Sequence, residues 1–205
     1  MSPKQEIPIE ANMTVMIMGS PDVGKSAFST QFVDSYFTAH YDPSSADEYN
    51  KTYINAQGTF HVTILDTPNT EEFAALRKDN IIRSHVFIFI YSVTNEASLQ
   101  QIAEYWDEVK EVRNSIPPTR SRHHNAQPTD FKPIAVLVGN KCDCPDHVKA
   151  LSREDGEKVA DKLGIKLFEC SAKSRFYVED IFDELITQSV SILPKIKKQE
   201  SCNIM

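Results

Sequence analysis

Long apolar runs are missing from this chain. No stretch of about 18 apolar residues occurs among its 205, so no membrane-spanning helix is expected. A basic surplus is missing too. Its 22 lysines and arginines face 29 aspartates and glutamates, and the net charge of −7 argues against bulk nucleic-acid binding. Cysteines are few: Cys142, Cys144, Cys170 and Cys202. Cys142 and Cys144 stand too close for a typical zinc pair and have no second pair, so a reduced, cytosolic chain is the simpler account. Residues 1–12 carry no apolar signal core and read as a loose polar extension. No internal repeat is visible. His123 and His124 are adjacent without further ligands, a pattern of solvated loop residues more than of a metal site.

What is present fits one α/β domain with a short tail, since 40% of the residues are hydrophobic. Apolar strand candidates fall at residues 13–18, 59–65, 86–92, 134–139 and 165–169. Helices are expected over 25–36, 71–83, 96–114, 153–163 and 178–193. Strand–helix alternation predicts a parallel sheet covered on both faces. Asn55-Ala56-Gln57-Gly58 is a turn signal between two extended runs, which adds one antiparallel hairpin at the sheet edge. Residues 115–133 lack periodicity and read as a long inserted surface loop.

Four motifs carry chemistry. Residues 19–26 read Gly-Ser-Pro-Asp-Val-Gly-Lys-Ser, the phosphate-binding pattern G-x-x-x-x-G-K-[ST], set between a strand and a helix as that motif requires. Gly19 and Gly24 permit a tight turn whose N–H groups converge on phosphate oxygens. Lys25 adds a point charge, Ser26 offers a hydroxyl to Mg²⁺, and the helix dipole favours the same anion. Asp66 ends strand 59–65, where a further Mg²⁺ ligand belongs, directly or through water. Asn140-Lys141-Cys142-Asp143 follows strand 134–139. The Asp143 carboxylate can accept from the N1–H and exocyclic amine of guanine, a donor pair that adenine lacks. Lys141 can lay its stem along a base plane, and Asn140 can tie this loop to the phosphate loop. Ser171-Ala172-Lys173 follows the last strand, with backbone N–H groups placed to meet the guanine O6. Asp143 also argues against a third possibility, an ATP-using P-loop kinase.

These four segments occur in order, each after an apolar strand. Together they resemble the Ras family of small GTP-binding proteins over about residues 13–193. The resemblance implies a P-loop G domain with a six-stranded, mostly parallel sheet. It also implies GDP or GTP with Mg²⁺, slow GTP hydrolysis, and partners of three kinds: exchange factors, activating proteins and effectors. Carried over by position, it assigns Gly19, Asp22, Val23, Gly24, Lys25, Ser26 and Ala27 to the phosphates and Phe37 to the edge of the base. Tyr41-Asp42-Pro43-Ser44 looks like the first switch, with Ser44 beside Ser26 and Asp66 in the Mg²⁺ shell and residues 41–49 facing effectors. Residues 66–72 look like the second switch.

The departures lie where a third phosphate would sit. Pro21 and Asp22 replace two usual glycines; proline lacks an N–H, and Asp22 brings negative charge toward phosphate. Ser44 replaces a threonine. Ser45 and Ala46 replace an apolar and an acidic residue, so standard effectors are expected to bind below full strength. Asn69 replaces the glycine of the second switch, and Thr70 replaces the glutamine that orients the attacking water. Catalysis would therefore rest on Lys25 and Ser44, with Thr70 a weak substitute. Slow hydrolysis is expected, or alternatively an interaction module with negligible turnover.

The last four residues, Cys202-Asn203-Ile204-Met205, match the prenylation pattern C-a-a-X with a terminal Met that favours farnesyl. Lys195, Lys197 and Lys198 precede it in a tail expected over 194–205, and would supply the second, electrostatic signal that one lipid chain needs. The expected location is the cytoplasmic face of a membrane, the plasma membrane in the family's manner, with a cytosolic form before prenylation.

Overall fold

The computed structural model describes residues 9–36, 47–116 and 131–196. Six strands form one sheet: β1 (Ile9–Met18), β2 (Asp47–Asn55), β3 (Gly58–Asp66), β4 (Val86–Ser92), β5 (Ala135–Asn140) and β6 (Lys166–Glu169). Their spatial order is β2-β3-β1-β4-β5-β6. All neighbours are parallel except the β2–β3 pair. That pair is the expected edge hairpin. Asn55 opposes Gly58 across a two-residue turn, and the Asn55 side chain accepts from Gln57 N–H at 2.9 Å. A Cβ on Gly58 would stand 2.0 Å from the Ile9 carbonyl oxygen, so only glycine lets β1 run alongside.

The helices are α1 (Lys25–Asp34), α2 (Ala74–Arg83), α3 (Glu96–Gln100), α4 (Ile102–Asn114), α5 (Arg153–Leu163) and α6 (Val178–Ser189). Alternation along the strands divides the core. Val86, Ile88 and Ile90 join Phe28, Phe32 and Phe182 on one face; Phe87, Phe89 and Tyr91 join Trp106 and Val109 on the other. Phe32 stacks on Phe182, and Phe89 meets Trp106 at 5.6 Å between ring centroids. Among the described residues no helix is long and apolar enough to cross a membrane.

Four elements differ from expectation. Strand β1 starts at Ile9, so Ile9–Asn12 are not part of a loose extension. Two flanking partners hold them. Residues 9–12 pair with 58–61 of β3, and the stretch after α6 lies on the other side, with Asn12 N–H on the Pro194 carbonyl at 3.1 Å and Ile196 N–H on that of Glu10 at 2.7 Å. The helix expected over 96–114 breaks at Gln101, whose N–H is shared between the Ala97 and Leu99 carbonyls. The helix expected from 71 opens as a 3-10 turn, Glu71–Phe73, and α6 stops at Ser189 in place of 193. The inserted loop lies mostly outside the described residues, as does the tail beyond 196.

His85 locks β4 beside β1. Its N–H donates to the Thr14 carbonyl at 2.9 Å, and Thr14 N–H donates back to Nδ1 of the imidazole at 2.9 Å. That nitrogen must stay unprotonated to accept. Burial and, secondarily, the nearby Arg113 push the imidazole below its usual pKa. The unfolded chain then takes up a proton near the ordinary value of about 6.5 while the folded chain does not, so stability is full above that pH and falls as pH drops below it. Urea midpoints measured between about pH 7.5 and 5.5 should show this slope. His85→Ala should flatten it.

Candidate nucleotide site

The sheet order places β1 between β3 and β4: the connection after β1 leads to β2 and β3 on one side, and the connection after β3 leads back past β1 to β4 on the other. Such a reversal opens a crevice at the carboxyl ends of the strands, where α/β sheets bind ligands. The loops after β1, β3, β5 and β6 all meet at that end.

The phosphate loop is shaped by two positions. Gly24 has φ 96°, and a Cβ there would stand 2.5 Å from Nδ2 of Asn140; one on Gly19 would stand 2.2 Å from the Ile90 carbonyl oxygen. Helix α1 starts at Lys25 with no side-chain cap and no acidic residue in its first turn. The N–H groups of such a first turn have no partner within the helix, so an anion is the natural cap. The Lys25 ammonium donates to the Gly19 and Ser20 carbonyls, both at 2.9 Å, which uses two of its three donors. Burial lowers its pKa, while the Asp66 and Asp22 carboxylates work to raise it. Ser26 donates to a carboxylate oxygen of Asp66. Asp66 is 3% exposed, and burial raises its pKa against the Ser26 hydrogen bond and Lys25. A buried acid with a hydroxyl beside a cationic loop is a donor set suited to a hard cation that shares phosphate oxygens.

Asn140 gathers three loops. Its Nδ2 donates to the Val23 carbonyl at 2.9 Å, and its Oδ1 accepts from Ala172 N–H at 3.1 Å and from the Cys170 thiol at 3.6 Å. The tie to the phosphate loop agrees with the sequence reading; the tie to Ala172 was not foreseen. Lys141 adopts φ 68°, and its Nζ donates to the Asp22 carbonyl at 2.6 Å. Asp143 and Lys173 are exposed beside them. The amides of the 171–173 loop are more committed than expected. Ser171 N–H already donates to the Phe176 carbonyl and Ala172 N–H to Asn140, so a base oxygen would have to share them. Val23 is buried and Ala27 half-buried at the base of the loop.

The second switch is held by contacts no motif signals. Asn80 donates to the Thr67 hydroxyl at 2.7 Å; Arg77 reaches the Thr70 carbonyl at 3.3 Å and pairs with Glu108 at 2.8 Å. The Thr70 hydroxyl donates to Glu72 at 3.3 Å. Asn69 donates to Tyr105 at 2.9 Å. Phe37, Ser44 and residues 41–46 of the first switch lie outside the described residues, as does Cys202. Asp47, Glu48 and Tyr49 of the effector-facing stretch lie on β2, the edge strand.

Asp22 stands at φ 61° in the phosphate loop. Glycine adopts that conformation freely, and its introduction also removes a negative charge beside the anion site. Asp22→Gly is expected to slow GDP release on the order of tenfold in a fluorescent-nucleotide chase. An unchanged off-rate would contradict it.

Comparison with known proteins agrees with this geometry. A Ras-like protein from Laccaria bicolor is 30% identical over 174 residues, covering 85% of this chain and 76% of its own length. Ras-like protein 1 of Saccharomyces cerevisiae is 33% identical over 172 residues, 84% of this chain; the chain spans half the length of that yeast relative. The family model described as Ras family matches residues 14–191, the stretch that runs from β1 through all four loops to the end of α6. The chain belongs to the Ras family.

Proposed function

We propose that this chain is a guanine-nucleotide switch that hydrolyses GTP slowly, and that it signals from the cytoplasmic face of a membrane. The observation that carries the nucleotide reading is the uncapped N-terminus of α1, closed over by a loop that Asn140 fastens to the base-side loops. Lys25 and the first-turn amides of α1 would hold the phosphates. Ser26 and Asp66, with Ser44, would hold Mg²⁺, which when bound neutralises phosphate charge. Asp143 would select guanine, and Lys141 and Phe37 would pack against the base.

In the hydrolysis step, water attacks the γ-phosphorus in line, the bond from phosphorus to the β–γ bridging oxygen breaks, and GDP and inorganic phosphate leave. Lys25 offsets the charge that develops on the bridging oxygen. Thr70 is too short to hold the water as a glutamine does, and its hydroxyl is turned to Glu72. Turnover should therefore be slow and its response to an activating protein poor. The same observation, with Pro21, favours the second reading, an interaction module with negligible turnover.

Single-turnover hydrolysis of bound GTP, with and without an activating protein, tests both readings. A rate equal to that of a glutamine-containing relative would refute the assignment of Thr70. No detectable phosphate would leave the module. Exchange factors, effectors docking through residues 41–49, and a farnesyl group on Cys202 complete the proposal. A Cys202→Ser chain that fractionates with membranes as the unaltered chain does would remove the lipid from it.

A further inference from the structure

Asn69 does more than replace a glycine. Its side-chain amide donates to the Tyr105 hydroxyl at 2.9 Å, and that hydroxyl donates to Oε1 of Gln101 at 3.5 Å, the longest link. The Ser20 hydroxyl donates to the same Gln101 oxygen. A chain of hydrogen bonds thus runs from the second switch, across α4, to the phosphate loop. Ser20 and Tyr105 are each 5% exposed, whereas Asn69 and Gln101 are exposed, so each bond joins one buried partner to one that water also reaches. Gln101 reaches Ser20 from the break between α3 and α4. A small cleft under the second switch is bordered by Gly19, Thr67, Asn69, Arg77 and Tyr105, which places the Asn69–Tyr105 bond along its wall.

We infer that Gln101 and Tyr105 are positioning residues that couple the phosphate loop to the second switch and set the preference between GDP and GTP. The inference rests on the guanine-nucleotide reading above. Thr67–Asn80 and Arg77–Glu108 also hold this segment, but they join it to α2 and α4. Among the described residues, the Gln101 link is what carries it on to Ser20. A segment clamped to α4 resists moving toward a third phosphate. Such a move would break the bond from Asn69 and leave the nearly buried Tyr105 hydroxyl without its donor. The clamp therefore weighs against GTP relative to GDP. This differs from the loss of the glutamine, which affects the chemical step and not the relative binding of the two nucleotides.

The test uses the full chain with Mg²⁺, GDP and a non-hydrolysable GTP analogue. Tyr105→Phe keeps the ring and removes only the hydroxyl; it should raise the affinity for the analogue relative to GDP by about fivefold, the size of one net hydrogen bond. Ser20→Ala and Asn69→Ala touch different ends of the same chain, so their effects on that ratio should be non-additive in the double variant. A purely structural bond would lower the melting temperature and leave the ratio unmoved. An unchanged ratio in Tyr105→Phe, or additive effects of the two end variants, overturns the coupling. If the unaltered chain binds neither nucleotide, the guanine-nucleotide reading itself fails instead.

Discussion

Asp143→Asn is expected to weaken GDP binding by about a hundredfold to ten-thousandfold. The carboxylate offers two acceptors to the two donors on one edge of guanine. Hydrogen bonds to a charged group are worth about 1.5–3 kcal/mol each, and an amide keeps one acceptor while turning its own N–H₂ against a donor. The exposed position of Asp143 means that the ligand-free fold should lose little, so the effect should appear in affinity and not in the melting temperature. Titration calorimetry with GDP and ADP measures it. Retained affinity for GDP, or a measured preference for ADP in the unaltered chain, would contradict the assignment and revive an adenine-nucleotide enzyme.

Asn140→Ala should damage the fold as well as the site. Asn140 is 2% exposed and satisfies a carbonyl at Val23 and an N–H at Ala172, both on buried residues. Truncation strands one buried acceptor and one buried donor, at about 1–3 kcal/mol each. The sum is about 2–6 kcal/mol, and at roughly 2–4 °C per kcal/mol for a domain of this size the melting temperature should fall by about 10 °C. The phosphate loop and the 171–173 loop would also lose their common anchor, so GDP affinity should drop with stability. A melting temperature within about 1 °C of the unaltered chain would show that the anchor is not needed.

The core was legible because its periodicities are simple. Strand β4 was read with its exact ends, 86–92, since an uninterrupted apolar run buried on both faces has few other accounts. Helix α5 was likewise read exactly, 153–163. Ser152 and Asp155 form its capping box, and Gly164 ends it at φ 68°. The early start of β1 was not legible. Glu10 and Asn12 alternate with Ile9 and Ala11, a pattern whose meaning depends on strands and a strap far away in sequence. The break at Gln101 carries no glycine or proline to announce it.

The residues proposed to touch a nucleotide were legible in the chain, because phosphate and guanine impose fixed chemistry on short, contiguous spacings: glycine for close backbone approach, lysine for charge, a carboxylate for a pair of donors. Folding alone revealed how those pieces are held. Asn140 bridges Val23 and Ala172, and Ser20 meets Asn69 through Gln101 and Tyr105, across separations of 32 to 117 residues in the first case and 81 and 36 in the second. Such bonds follow no local period. They exist because the sheet order brings four strand ends together, and a polar side chain buried there must find whatever partner the packing supplies.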